Sequence, residues 1–337
     1  MKILVTGGAG FIGSNFIKYI SSEYPHYKIV NLDKLTYAGN LNNLSGTEGN
    51  PNYQFVKGDI CDRRMVQEIV GDKIDVMVNF AAETHVDRSI YDPNIFVKTN
   101  VLGTQVLLES ALKFRIERFV QISTDEVYGS SPELLFTESS PLLPNSPYAA
   151  SKASADLLTR SYHKTFGVDT VIARSTNNYG PCQFPEKLIP LFITNALSGQ
   201  ELPLYGDGLY VRDWLYVEDH CKALDSVLHK GKVGEIYNIG ANCEKTNLEI
   251  GELILERLNK PKSLIKHVKD RPAHDRRYAL DSAKIRDELS WKPDTPFEKG
   301  LAQTVDWYIA NQKWWEDIKT GEYSEYYRKH YVLRDSS

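Results

Sequence analysis

The chain has 337 residues, 42% of them hydrophobic and 25% charged, which suffices for a large core and excludes a disordered chain or a disulfide scaffold. A balance of 44 acidic against 40 basic residues gives a formal charge of −4, which argues against a nucleic-acid surface. The four cysteines, Cys61, Cys182, Cys221 and Cys243, are too widely spaced for a CxxC pair and read as reduced thiols, so no metal site is expected. No stretch approaches the length of a membrane span, and Met1-Lys2 leads directly into a short apolar strand and glycines instead of a signal-peptide core. A cytoplasmic protein is expected.

In chain order, strands are predicted over 2–6, 28–33, 54–57, 75–80, 118–123 and 169–174, each short and rich in Val, Ile or Phe. Helices are predicted between them over 12–20, 63–70 and 93–114, and over 147–166. Strand, helix and strand repeat, which is the pattern of a parallel sheet covered on both faces, a Rossmann-type doubly wound α/β fold. Beyond about residue 174 the rhythm is broken by Pro181, Pro185, Pro190 and Pro203. Residues 1–174 therefore read as a dinucleotide-binding domain. Residues 175–337 read mainly as a smaller substrate lobe, with some elements returning to the core. The aromatic C-terminal segment (Trp307, Tyr308, Trp314, Trp315, Tyr323, Tyr326, Tyr327, Tyr331) is expected to pack on the body or on a partner subunit.

The first strand runs into Gly7, Gly8, Gly10 and Gly13 at the opening of a helix, in the spacing and context of a dinucleotide fingerprint. Gly7 and Gly8 permit a tight turn, Gly10 lets backbone approach a pyrophosphate, and Gly13 lets helix and strand pack closely. Asp33 ends the second strand, where a carboxylate accepts hydrogen bonds from the adenosine ribose and repels a 2′-phosphate, so NAD is favoured over NADP despite the neighbouring Lys34. Asp59 reads either as a contact to the adenine amino group or as the N-cap of the helix beginning near Arg63.

Ser146-Pro147 reads as an N-cap and a first-turn proline, which places Tyr148 and Lys152 on one helix face. The Lys152 ammonium is then expected to lower the phenol pKa and make Tyr148 a usable base. Ser123 or Thr124, at the end of the fifth strand, can hydrogen-bond a substrate hydroxyl undergoing oxidation. Asp125 and Glu126 follow at once. Hydride transfer needs no such carboxylates, so a second reaction with its own acid and base is inferred.

Several segments carry a resemblance: 7–14, 81–89, 124–129, Tyr148 to Lys152, 177–181, 212–214 and 270–278. Through them the chain resembles the extended short-chain dehydrogenase/reductase family, and within it the dTDP-glucose 4,6-dehydratases. Two departures, Thr84 where the family often has Ser and Ala273 where it often has Gly, remove no reactive group. The resemblance implies that Tyr148 takes the proton from the hydroxyl at carbon 4 while hydride passes to a tightly bound NAD. Glu126 then removes the carbon 5 proton, a protonated Asp125 assists loss of the carbon 6 hydroxyl, and hydride returns to carbon 6, giving a 4-keto-6-deoxy sugar. Burial and the neighbouring Glu126 would keep Asp125 protonated.

The same resemblance implies cofactor contacts at Gly7, Gly10, Phe11, Ile12 and Gly13, at Asp33, Lys34, Thr36, Asp59 and Ile60, at Phe80, Ala81, Ala82 and Thr99, and at Ser123, Tyr148, Lys152 and Asn178. It implies substrate contacts at Thr84, Thr124, Asn177, Lys187 and Leu188, at Pro203 and Tyr205 beside the base, at Arg212 and Asn247, and at the turn with Arg271 and His274. Arg212 and Arg271 are also suited by chemistry, since guanidinium grips phosphate bidentately. His85 and His274 read either as catalytic or as hydrogen-bonded structural residues. A homodimer through the helices over 93–114 and 147–166, packed as a four-helix bundle, is implied as well. Other readings stay open: a UDP- or CDP-glucose dehydratase, a nucleotide-sugar 4-epimerase or decarboxylase, and a non-enzymatic NAD-sensing protein.

Overall fold

Short apolar runs bury best when both faces of a sheet are covered, and the chain supplies amphipathic helices between its strands for that purpose. The computed structural model describes residues 1–272, 274–320 and 322–327; Ala273 and Tyr331 lie outside the described residues, as does the side chain of Tyr326. The first six strands are β1 (Lys2–Thr6), β2 (Lys28–Asp33), β3 (Tyr53–Lys57), β4 (Val76–Asn79), β5 (Arg118–Thr124) and β6 (Thr170–Ser175). They are followed by β7 (Asn177–Tyr179), β8 (Leu202–Tyr205), β9 (Val211–Tyr216), β10 (Ile236–Ile239), β11 (Glu244–Thr246), β12 (Ile265–Val268) and β13 (Arg277–Tyr278). A parallel seven-stranded sheet has the order β10-β6-β5-β4-β1-β2-β3. This is the Rossmann-type architecture, with one strand contributed from beyond residue 175.

Helices α1 (Phe11–Glu23), α2 (Arg63–Gly71), α3 (Val86–Tyr91), α4 (Pro93–Phe96), α5 (Thr104–Phe114) and α6 (Pro147–Phe166) accompany the first six strands. The later helices are α7 (Leu188–Leu197), α8 (Val217–Lys230), α9 (Asn247–Arg257), α10 (Ala283–Leu289), α11 (Phe297–Ala310) and α12 (Gln312–Ile318). On one face of the sheet, Phe16, Ile17 and Ile20 of α1 meet Leu224 and Val227 of α8. Val66 and Val70 of α2 and Leu107, Leu108 and Ala111 of α5 belong to the core on the other face. Phe192, Ile250, Ile254 and Leu301 form a separate core under the second lobe, where β9 pairs with β7, β11 and β13.

Three local expectations change. The helix predicted over 93–114 contains a π-helical stretch, Val97–Gly103, between α4 and α5. It carries buried Asn100, whose amide exchanges hydrogen bonds with the backbone of Glu83 at 2.9 and 3.0 Å and reaches Ser151 Oγ at 2.8 Å. The strand predicted over 75–80 is confined to Val76–Asn79. Asp59 does not cap α2: the Asp62 carboxylate accepts the Met65 N–H at 3.1 Å, one turn in, as an N-cap must. The expected cap of α6 is present, with Ser146 Oγ accepting the Ala149 N–H at 3.1 Å and Pro147 in the first turn.

Trp314, Trp315 and Tyr323 of the C-terminal aromatics pack on the body. Trp315 Nε1 donates to the Tyr308 carbonyl at 2.9 Å, Trp314 Nε1 to Asn43 Oδ1 at 3.0 Å, and the Tyr323 hydroxyl to the Pro185 carbonyl at 2.9 Å. All four cysteines are free. No helix among the described residues is long and apolar enough to cross a membrane.

A buried ion pair braces the sheet behind the turn after β5. Arg174 Nε lies 2.8 Å from Asp156 Oδ2, with side chains 3% and 1% exposed, and Arg174 also donates to the Tyr128 hydroxyl at 2.8 Å. Tyr128 in turn donates to Asn238 of β10 at 2.8 Å. Removing one partner strands a charge in the core, so Asp156→Ala is expected to cost about 3–5 kcal/mol. A urea titration followed by circular dichroism checks this through a lowered midpoint.

Candidate functional site

The carboxyl ends of β1, β2, β4, β5 and β6 open onto one cleft, because parallel strands all end on the same edge. At the end of β1 the backbone turns through Gly7 at φ 70°, and a Cβ there would stand 2.6 Å from the Ala81 nitrogen. A Cβ on Gly13 would stand 2.4 Å from the Gly7 carbonyl, so α1 and β1 approach as closely as the chain permits. At Gly10, by contrast, the only neighbour within 4 Å is the Gly7 carbonyl at 3.3 Å, and this residue caps α1 without a side chain. The helix N–H groups thus face the cleft bare, as an anion requires.

Phe11, Ile12, Asp33, Lys34, Thr36, Asp59 and Ile60 line this part of the cleft, and Phe80, Ala81, Ala82 and Thr99 line its floor. Asp33 is fixed by the Ala9 and Leu35 N–H groups at 2.9 and 2.7 Å, while burial raises its carboxyl above the usual range. The side chains present fit a dinucleotide. Three buried atoms in the walls, Ser123 Oγ, Asn178 Oδ1 and Gln183 Oε1, have no hydrogen-bond partner among the described residues. Such atoms are costly unless a ligand pairs them.

Where β5 ends, Thr124 caps a single 3₁₀ turn, Asp125–Tyr128, its hydroxyl accepting the Glu126 N–H at 3.3 Å. That turn holds the two carboxylates beside Tyr148, in the wall of the same cleft. Asp125 is 2% exposed, and burial followed by the Glu126 charge pushes its carboxyl up to about 7. Burial raises Glu126 as well, but Arg271, Lys187 and Arg212 oppose the rise. One carboxyl of the pair therefore keeps its proton near neutrality while the other is held by cations.

Tyr148 and Lys152 share the face of α6 as their spacing requires, yet the expected lowering of the phenol is not found. Burial and the Glu126 charge raise the Tyr148 pKa well above its ordinary value. Lys152 Nζ is instead anchored on the Ile122 carbonyl at 2.6 Å, and burial brings its own pKa down to about 8.

A second recess adjoins the first, and Glu126, Asn177, Glu186 and Lys187 line both. Thr84 and Asn178 border the first; Leu188, Pro203, Tyr205, Arg212, Asn247, Arg271 and His274 border the second. Lys187 donates to the Thr84 carbonyl at 2.8 Å. Arg212 is held by the carbonyls of Val211 and Asp275 at 2.7 and 2.8 Å and stands 4.1 Å from the centre of the Tyr278 ring. Arg271 lies 3.8 Å from Asp87, and its buried Nε has no partner among the described residues.

Both candidate histidines are neutral at physiological pH. Burial brings His85 down to about 4 and His274 to about 3. His274 stacks on Tyr210 at 3.6 Å and bonds Asp270 at 2.7 Å, the arrangement of a structural residue. No metal-ligating cluster occurs among the described residues. Sequence reasoning missed Gln183, Phe184 and Glu186, which reach the cleft from the loop between β7 and α7. Glu186 pairs with Arg88 at 3.0 Å. Proximity to Lys187 in a proline-bounded segment was the available signal.

The family model described as GDP-mannose 4,6 dehydratase matches residues 4–304. A dTDP-glucose 4,6-dehydratase of Streptomyces niveus is 53% identical, covering 95% of this chain and 96% of that protein. The crystal structure of the dTDP-glucose 4,6-dehydratase of Streptomyces venezuelae, with NAD and a TDP ligand bound, superposes with a TM-score of 0.92 at 51% identity, covering 95% of this chain and all of that one. A Thermotoga maritima UDP-glucose 4-epimerase with UDP-glucose shares the fold at a TM-score of 0.87 but only 30% identity, covering 93% of this chain and all of that one.

The raised Asp125 carboxyl has a consequence for stability. Between its ordinary value of 3.8 and about 7 the folded chain holds a proton that the unfolded chain releases, so this group makes stability fall as pH rises through that window. Asp125→Asn removes the dependence. The variant is expected to gain on the parent steadily from pH 4 to pH 7, by up to about 4 kcal/mol, in urea titrations compared at both ends.

Proposed function

Since the chain belongs to the GDP-mannose 4,6-dehydratase family, we propose that it is an NAD-dependent dTDP-glucose 4,6-dehydratase, a hydro-lyase that yields dTDP-4-keto-6-deoxyglucose and water. The observation that carries the reading is the Asp125-Glu126 pair, one carboxyl raised to about 7 and the other balanced by three cations, beside Tyr148 in a dinucleotide cleft. A 4-epimerisation has no task for such an acid and base. The non-enzymatic reading loses its ground to the same pair and to the extent of the likeness to enzymes.

NAD, when bound, supplies the store for hydride and, in its oxidised form, a positive charge opposing the push of Glu126 on the Tyr148 phenol. Gly7, Gly10 and Gly13 seat its pyrophosphate, Asp33 its ribose, and Ser123, Asn178 and Lys152 border the reacting end. Tyr148 receives the proton of the carbon 4 hydroxyl, with Thr124 steadying that oxygen. The resulting ketone acidifies carbon 5, whose proton passes to Glu126. Asp125 gives its proton to the departing carbon 6 hydroxyl, and water is lost. Glu126 afterwards returns a proton to carbon 5, balancing the hydride that carbon 6 would regain from the reduced cofactor. Arg212, Arg271, Lys187 and Asn247 hold the nucleotide diphosphate, and Pro203 and Tyr205 receive the base.

In this reading residues 1–174 bind the cofactor and residues beyond 175 mainly the substrate. Homodimer formation through α5 and α6 is supported by exposed Val97, Leu102, Leu112, Leu157 and Phe166 on and beside these helices. A cytoplasmic location accords with the free thiols.

Two variants separate the roles. Asp125→Asn is expected to slow water loss about 10²–10⁴-fold while oxidation at carbon 4 is much less affected, so that NADH accumulates in a stopped-flow trace with dTDP-glucose. Glu126→Gln is expected to keep the oxidation and to abolish exchange of the carbon 5 proton with solvent. Equal slowing of both steps in Asp125→Asn contradicts its role as the acid, and normal exchange in Glu126→Gln contradicts its role as the base.

A further inference from the structure

Cofactor choice between NAD and NADP turns on charge near the adenosine ribose, and the structure places three charged groups there. Asp33 ends β2 and Asp59 follows β3, brought together because Asp33 pairs with Lys57 in the parallel register and the Gly58 N–H donates to the Asp33 carbonyl at 2.9 Å. Lys34 lines the same cleft wall. By its position this ammonium is the group that would neutralise a 2′-phosphate. Its Nζ lies instead 2.8 Å from Asp59 Oδ2. The other Asp59 oxygen accepts the Cys61 N–H at 2.9 Å, so the carboxylate is fixed and Lys34 pairs with its free oxygen.

We propose that Asp59 enforces selection of NAD over NADP by capturing the Lys34 ammonium, so that cofactor specificity rests on the Lys34–Asp59 pair as well as on Asp33. The inference rests on the reading of the cleft as a dinucleotide site. Two carboxylates against one ammonium leave this wall negative, which disfavours a phosphate carrying two charges. Asp59→Asn keeps one oxygen acceptor, for the Cys61 N–H, removes one negative charge and frees Lys34. The pair is partly exposed, 45% for Lys34 and 25% for Asp59, so salt screens the effect without abolishing it.

The test is a competition that needs no turnover. The purified enzyme is equilibrated with equimolar excess NAD and NADP, freed of unbound nucleotide by ultrafiltration and denatured, and the released nucleotides are quantified by chromatography. The parent is expected to carry NAD almost alone. Asp59→Asn is expected to raise the ratio of NADP to NAD at least about fivefold, less at high salt. Lys34→Met is expected not to raise the ratio, and Lys34→Met added to Asp59→Asn to return it close to the parent's. Because the ratio is read from whatever is bound, lower occupancy does not mask it. An unmoved ratio in Asp59→Asn, or a shift that persists without Lys34, overturns the proposal while the NAD reading stands. A parent that retains neither nucleotide overturns both.

Discussion

A parallel sheet can present all its carboxyl ends only on one edge, and the site depends on that constraint. The chain builds β1, β2 and β3 outward in one direction, then crosses back to place β4 on the other side of β1. Loops leaving β1 and β4 diverge at this reversal, and the crevice between them is the cleft. Strand ends bring Gly7, Asp33, Asp59, Ala81 and Thr124 to it from segments far apart in the chain. Side chains mounted on strand ends and first helical turns move little, which suits a site where proton donor and acceptor must keep their distances.

The same geometry creates the electrostatic problem that the chemistry uses. Two adjacent carboxyls at a buried strand end cannot both ionise cheaply, and burial with mutual repulsion sends Asp125 up to about 7. Glu126 escapes part of that penalty because Arg271, Lys187 and Arg212 act on it from the second lobe. The cations proposed to hold the diphosphate thus act unequally on the two carboxyls, as the proposed division into an acid and a base requires. Tyr148 feels the opposite influence, for the charge that suits Glu126 to proton abstraction holds the phenol proton in place. Under the proposed roles Glu126 would link oxidation to elimination, and the buried Arg174–Asp156 pair with Tyr128 packs behind the turn that carries it.

Much of the architecture was legible because it is local. The apolar runs, the glycine spacing after β1 and the Ser146-Pro147 cap are short-range signals, and strands, fingerprint turn and α6 lie where these place them. What escaped was set by distant partners. The π-helical stretch carries Asn100, which reaches Glu83 and Ser151, and helical periodicity carries no trace of such bonds. The i,i+4 spacing of Tyr148 and Lys152 was correct as geometry and misleading as electrostatics, since the Ile122 carbonyl holds the ammonium and Glu126 dominates the phenol. Asp59 reads from sequence equally well as a cap of α2, but Asp62 takes that place and Lys34 lies against Asp59. The Gln183 to Glu186 wall comes from an irregular loop, where spacing encodes little.

In the proposed function the carboxyl pair performs an elimination inside a hydride-transfer site. The most direct measurement is mass spectrometry of dTDP-glucose incubated with the purified protein in heavy water, without added NAD. Loss of one water with one deuterium gained at carbon 5 is the result that the proposed roles predict, with the cofactor regenerated in each cycle and Glu126 carrying the carbon 5 proton. Unchanged mass, or epimerisation without loss of water, both with NAD supplied, would contradict the account.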